Sequence, residues 1–161
     1  MEKICRAYFS SPIGTIEIAG TEKEICSVNF VMKKTSPKSE YSPALKECLR
    51  QLDEYFRGKR KIFELQLRVA GTEFQRNVWQ ALLDVGYGET ASYRDIAAAV
   101  GKPKAVRAVG NTNRTNPIGI IIPCHRIIGS SGKLVGYGGG LWRKAWLLRH
   151  EQEQAASEKK K

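Results

Sequence analysis

The rhythm of apolar and polar positions changes twice along the chain, near residue 40 and near residue 70. Before the first change, three short runs rich in β-branched and aromatic residues, 4–9, 15–19 and 25–31, are separated by the turn signals Ser11-Pro12-Ile13-Gly14 and Gly20-Thr21. Strand side chains alternate between two faces, so runs of this kind bounded by turns predict a small antiparallel sheet. Ser42-Pro43 then offers an N-cap and a proline at the first helical position, where no backbone N–H is needed. Leu45, Leu49, Leu52 and Phe56 recur on one helical face until Gly58, which predicts a helix covering the sheet. The polar stretches 33–42 and 58–61 read as loops, and 62–69 alternates like a short strand.

A second unit opens at Gly71-Thr72. Thr72 and Gln75 have capping-box spacing ahead of Phe74, Val78, Trp79 and Leu82, the pattern of an amphipathic helix. Ser92 with Asp95 is a weaker version of that cap and opens a short helix to Val100, with Ile96 and Val100 spaced for burial. Gly101-Lys102-Pro103 breaks the chain, and a helical pattern resumes over 104–113. Two short helices about a tight glycine turn predict a helix-turn-helix, whose second helix has Lys104, Arg107 and Arg114 for phosphates. The run Ile118-Gly119-Ile120-Ile121-Ile122, ended by Pro123, has the length and composition of a buried strand. A Gly/Ser loop over 129–140 leads to a last helix over 141–151, with Leu141, Ala145 and Leu148 on one face and Trp142 and Trp146 beside it.

These elements predict an α+β protein: a small N-terminal antiparallel sheet covered by a helix (1–70), then a mostly helical domain with a helix-turn-helix (71–152). A polar tail (153–161) is expected to lack fixed structure.

With 161 residues, 42% of them hydrophobic, the chain can bury a real core. No run supplies the roughly 20 apolar residues of a membrane span, and the first residues lack a signal-peptide core, so a cytoplasmic protein with no membrane association is expected. The 27 Lys and Arg against 16 Asp and Glu leave a formal charge of +11, which favours phosphate backbones or anionic surfaces as partners. The cysteines Cys5, Cys26, Cys48 and Cys124 are irregularly spaced, with no two closer than 21 positions, so neither a disulfide framework nor a Cys-x-x-Cys site is indicated.

Candidate chemistry concentrates in Pro123-Cys124-His125-Arg126. Only the thiolate of a cysteine is a strong nucleophile, and a neighbouring histidine, lysine, arginine or helix N-terminus stabilises it. Glu151, at the end of the last helix, is the carboxylate that could orient His125 as the third member of a nucleophile–base–acid set. Adjacent strand residues face opposite ways, so His125 acts on Cys124 only if the chain turns after Pro123 or a water bridges the two. The competing reading is a buried structural cysteine.

The stretch from Thr72 to Glu151 resembles the catalytic domain of the O6-alkylguanine-DNA alkyltransferases. It carries Ile122-Pro123-Cys124-His125-Arg126-Ile127-Ile128 and, in the family's order and spacing, Arg107-Ala108-Val109-Gly110, Asn116-Pro117, Tyr137-Gly138-Gly139-Gly140-Leu141 and Trp146-Leu147-Leu148. The N-terminal part is similar only in its sheet-plus-helix pattern. The resemblance implies DNA repair by direct reversal: irreversible, stoichiometric transfer of an alkyl group from O6 of guanine in duplex DNA to Cys124. It further implies that His125 activates the sulfur through a water, that Glu151 completes the relay, that Asn116 braces it, and that Tyr93 donates a proton or hydrogen bond to the departing purine. The damaged nucleotide would be extruded, with Arg107 filling the gap in the stack. Ala105, Ala108 and Gly110 would allow close approach to a narrow groove, and Tyr137, Gly138, Gly139 and Ile127 would shape the pocket. No cofactor and no metal are implied, and a monomer is expected.

Three positions depart from the family pattern. Val106 is bulkier than expected in the recognition helix, Gly138 stands where many members carry a serine, and Cys5 and Cys26 lack the histidines with which some relatives bind zinc. Two other readings use the same residues: a non-catalytic helix-turn-helix binder of alkylated guanine, and a cysteine hydrolase.

Overall fold

The structure, a computed structural model, describes residues 2–32 and 39–159; most of the loop expected over 33–42 and the end of the expected tail lie outside them. The chain divides into two compact units, residues 1–69 and 70–161.

In the first unit β1 (Cys5–Ser11), β2 (Gly14–Gly20) and β3 (Ile25–Val31) form an antiparallel sheet in the order β1-β2-β3. Alternation places Ala7, Ile16, Ile18 and Val28 on the buried face. The β2–β3 turn needs a glycine, because a Cβ on Gly20 would lie 2.3 Å from the Glu24 carbonyl oxygen. Helix α1 (Pro43–Phe56) covers the sheet. Its N-cap Ser42 accepts from the Leu45 N–H at 3.2 Å and donates to the Thr21 carbonyl at 2.8 Å, tying the helix start to that turn.

The buried stripe of α1 differs from the apolar spacing: it is Leu45, Cys48, Gln51, Leu52 and Tyr55, with Leu49 and Phe56 at its margin. Gln51 is buried because both ends of its amide are used, donating to the Glu64 carbonyl (3.1 Å) and accepting from the Glu64 N–H (2.9 Å). These bonds also explain why 62–69 is not the strand its alternation predicts. Half-buried and exposed residues do alternate there, yet the only sheet pairing among the described residues is a parallel bridge between Ile25 and Leu67, since Gln51 takes the polar groups of Glu64.

The second unit contains α2 (Glu73–Leu83), β4 (Ala91–Ser92), α3 (Tyr93–Ala99), α4 (Val106–Arg114), β5 (Ile127–Ile128) and α5 (Leu141–Lys159). Both capping boxes close: Thr72 with Gln75 on α2, and Ser92 with Asp95 on α3. Helices α3 and α4 pack together as the helix-turn-helix, joined through Gly101 at φ +75°. The two-residue parallel pairing of β4 with β5, Ala91 opposite Ile127, was not anticipated. Helix α5 continues through Lys159 instead of ending at Glu151. Its buried side is Lys144, Leu147, Leu148 and Glu151, while Leu141 and Trp142 are exposed, so the face inferred from apolar spacing is rotated.

The run 118–122 is buried but is not a strand. Ile121 N–H donates to the Gly119 carbonyl at 2.7 Å around Ile120, whose φ of +69° is the only positive value at a non-glycine among the described residues. A β-branched residue enters that region only when its surroundings hold it there. Asn116 does part of the holding: its Oδ1 accepts from Ile118 N–H (3.0 Å) and its Nδ2 donates to the Ile122 carbonyl (2.8 Å). Composition could not separate this coil from a strand, because both bury isoleucines.

Candidate active site

A three-residue 3-10 turn, Cys124–Arg126, follows the isoleucine coil. Pro123 (φ −82°, ψ 62°) makes the bend, and Cys124 N–H donates to the Ile122 carbonyl at 2.8 Å. The chain therefore does turn at Pro123, and all three side chains are buried.

The turn delivers His125 and Arg126 to one carboxylate. His125 Nε2 lies 2.7 Å from Glu151 Oε2. Arg126 donates through Nε to Oε1 at 2.8 Å and through Nη2 to Oε2 at 3.1 Å, and its Nη1 holds the Val85 carbonyl at 2.7 Å. Gly88 N–H adds a bond to Oε1 at 3.3 Å. Burial pushes the Glu151 carboxyl up, but the bonds and charges of His125 and Arg126 outweigh it and hold the carboxyl well below the usual range. Burial lowers the pKa of His125 beneath 6.5, against the pull of Glu151. Burial, with the charge of Arg126 beside Glu151 adding to it, keeps the imidazole neutral, with its proton on the nitrogen facing the carboxylate. That leaves the Nδ1 lone pair, a buried atom with no hydrogen-bond partner among the described residues, as the basic position.

Cys124 is 5% exposed. Burial raises its pKa, opposed by a hydrogen bond from Asn116, the charge of Lys144 and the backbone N–H groups of Cys124 and His125. At neutral pH the resting sulfur is a thiol, not the thiolate that a neighbouring histidine suggests, and a base must remove its proton. Asn113 donates to the Cys124 carbonyl at 3.3 Å.

Tyr93 opens α3 directly after its cap and donates to the Val135 carbonyl at 2.7 Å. Gly110 faces it: a Cβ there would lie 3.8 Å from the Tyr93 ring. On α4, Arg107, Ala108 and Arg114 are exposed, as is Lys104 just before it, while Ala105 is the half-buried N-cap. Val106, the bulky departure, is also exposed. Tyr137 is half-buried, Ile127 fully buried, and Gly139 accepts from Arg143 Nη1 at 3.0 Å. A Cβ on Gly138 would come within 3.3 Å of the Arg114 carbonyl oxygen, a close approach that disfavours a side chain there. Cys48, buried in the first unit, has its thiol pushed up to about 12 by burial and is structural. None of the four cysteines is paired, and no group of three or more metal-ligating side chains lies together among the described residues.

Family models match both units: the 6-O-methylguanine DNA methyltransferase ribonuclease-like domain over residues 4–69, and the DNA binding domain of the same protein over residues 73–153. The chain belongs to this family. Among curated relatives, the methylated-DNA–protein-cysteine methyltransferase of Methanosarcina barkeri is 48% identical over 147 residues, covering 88% of this chain and 93% of the relative. That of Mycobacterium leprae is 48% identical and covers 93% of each. A crystal structure of the Mycobacterium tuberculosis O6-methylguanine methyltransferase superposes with a TM-score of 0.85 at 42% identity, covering 94% of both chains. A second, of the M. tuberculosis OGT in complex with DNA, gives 0.84 at 43%, covering 91% of this chain and 92% of that one. The protein is thus a methylated-DNA–protein-cysteine methyltransferase, repairing DNA by direct reversal through alkyl transfer to a cysteine.

Three residues around Cys124 are not singled out by the sequence. Arg126 lies inside the motif but its partner Glu151 is 25 residues away; Asn113 carries no local signal; and Lys144 is one of many lysines in the chain. Lys144 is fully buried, donates to the Val135 carbonyl at 2.8 Å, and has its pKa lowered to about 8 by burial. Its position four residues before Leu148 and seven before Glu151, on the buried side of α5, was the available clue.

Proposed function

We propose that Cys124 is the sulfur that receives the alkyl group and that His125 and Glu151 make it reactive. Neutral His125, its Nε2–H held by Glu151, accepts the thiol proton at Nδ1 through a bridging water. The thiolate attacks the alkyl carbon in line, the S–C bond forms as the C–O6 bond breaks, and the electron pair leaves with the purine. Tyr93 supplies a proton or hydrogen bond to that purine, since expelling an unprotonated oxyanion is costly. A thioether remains that no neighbouring group can cleave, so each chain acts once. Asn116 positions the coil that carries Cys124, and Tyr137, Gly138, Gly139 and Ile127 shape the purine pocket.

The substrate is duplex DNA carrying O6-alkylguanine, met by a monomer in the cytoplasm. Lys104 and Arg114 contact phosphates, Ala105, Ala108 and Gly110 permit close groove approach, and Arg107 takes the place of the extruded base. The observation that carries the reading is the buried Arg126–Glu151–His125 set adjoining a buried cysteine. Peptide mass spectrometry after mixing with methylated duplex tests it: one methyl per chain on the Cys124 peptide is expected, and loss of lesions with that peptide unmodified would reject it. Cys124→Ser should bind DNA and transfer nothing.

A further inference from the structure

Loop 129–140 contributes Gly129, Ser130, Val135 and Gly136 to a surface groove beside Tyr93, while Cys124 is buried. That groove, about 350 Å³, is lined by Tyr93, Arg107, Gly110, Arg114, Val135 and Gly136 among others, and Cys124 is not part of its lining. Val135 and Gly136 hold their place through their carbonyls. Tyr93 Oη donates to Val135 O at 2.7 Å, and Lys144 Nζ donates to the same oxygen at 2.8 Å and to Gly136 O at 3.4 Å. The Lys144 ammonium is fully buried, and no carboxylate pairs with it among the described residues, so these carbonyls are what satisfies it.

We propose that loop 129–140 is a substrate-displaced latch: the Val135 carbonyl occupies the two donors, Tyr93 and Lys144, that an extruded purine's own acceptors take over on entry. The inference rests on the reading that Cys124 and Tyr93 serve alkyl transfer, and it adds how the pocket stays shut before a lesion arrives. A buried donor left unpaired is costly, above all a cation. Exchange of one acceptor set for another spares that cost, whereas an electrophile with no purine acceptors has nothing to offer in exchange. A sulfur that can be used once is thereby kept from small reactive molecules. Gly132, Gly136 and Gly140 hold the loop in left-handed conformations, at φ of +86°, +57° and +94°, that other residues adopt only at a cost.

The test compares two reactions in three proteins at one pH below about 8, where Lys144 keeps its proton: carbamidomethylation of Cys124 by iodoacetamide, followed by peptide mass, and transfer from methylated duplex. Gly136→Ala places a side chain at a left-handed residue; its Cβ would be 3.8 Å from Tyr93 Oη, an ordinary contact, so it acts through backbone conformation. It should speed carbamidomethylation by about fivefold or more, the factor a left-handed alanine's cost corresponds to. Tyr93→Phe removes one latch bond and the proposed donor together, so carbamidomethylation should rise while transfer falls. A wild-type iodoacetamide rate in Gly136→Ala overturns the latch. A rise in Gly136→Ala but not in Tyr93→Phe removes Tyr93 from it and overturns the exchange of donors. Unimpaired transfer in Tyr93→Phe counts instead against Tyr93 as donor to the purine, leaving the iodoacetamide result to judge the latch.

Discussion

Burial sets the charge state of His125, and Arg126 adds to it. A carboxylate beside a buried imidazole can draw a proton onto it, but burial outweighs the pull of Glu151, which already faces the Arg126 guanidinium through two bonds, so His125 stays neutral. Glu151→Gln would leave Arg126 buried without its counter-charge, and breaking such a pair costs about 3–5 kcal/mol. Urea unfolding should show that loss, and alkyl transfer should slow because His125 loses the group that fixes its tautomer. The pH dependence has a definite sign. His125 and Glu151 both have folded-state pKa values below their ordinary 6.5 and 4.5, so the unfolded chain binds more protons on acidification. Stability should fall as pH drops below about 6.5 and fall further below about 4.5. In Glu151→Gln the second part of that decline should shrink in the urea midpoints, the remainder coming from carboxyls such as Glu47 and Asp95 that are also held below their ordinary values.

At the scale of elements, the isoleucine coil and the 3-10 turn act as one device that presents Cys124. The coil is held by tight local bonds and by Asn116, which serves one N–H and one carbonyl at once. Asn116→Ala leaves both without that partner, at roughly 1–3 kcal/mol each. Asn116→Asp keeps the acceptor for Ile118 N–H and loses the donor to the Ile122 carbonyl, so its thermal midpoint should lie between those of wild type and Asn116→Ala. Equal midpoints for all three would remove Asn116 from the support of the coil.

For the whole molecule, the net charge of +11 sets the terms of encounter with DNA. Neutralising phosphates releases counterions, so the logarithm of the binding constant should fall linearly with the logarithm of salt concentration. Lys104→Ala should reduce that slope by about one. Arg107→Ala should impair repair of a paired lesion more than of a mismatched one, because an already unpaired base needs less help to leave the stack. Repair rates on the two duplexes measure it, and equal losses would argue against an intercalating role.

Local signals sufficed where the cause was local. The three strands, the caps at Ser42, Thr72 and Ser92, the helix-turn-helix and the Cys124-His125-Arg126 motif are set by neighbours in sequence, and all were legible there. The coil at 118–122 stands apart, since Asn116 and tight turns bond it locally and only the burial of its isoleucines hid this from composition. Tertiary structure alone decided what depends on distant partners. It denied 62–69 a ladder, because Gln51 takes the bonds of Glu64. It turned α5 to bury Lys144 and Glu151, whose partners come from loop 129–140 and from the turn at Cys124. A buried charge is invisible to hydrophobic periodicity, since its stability comes from hydrogen bonds that exist only once distant segments have met.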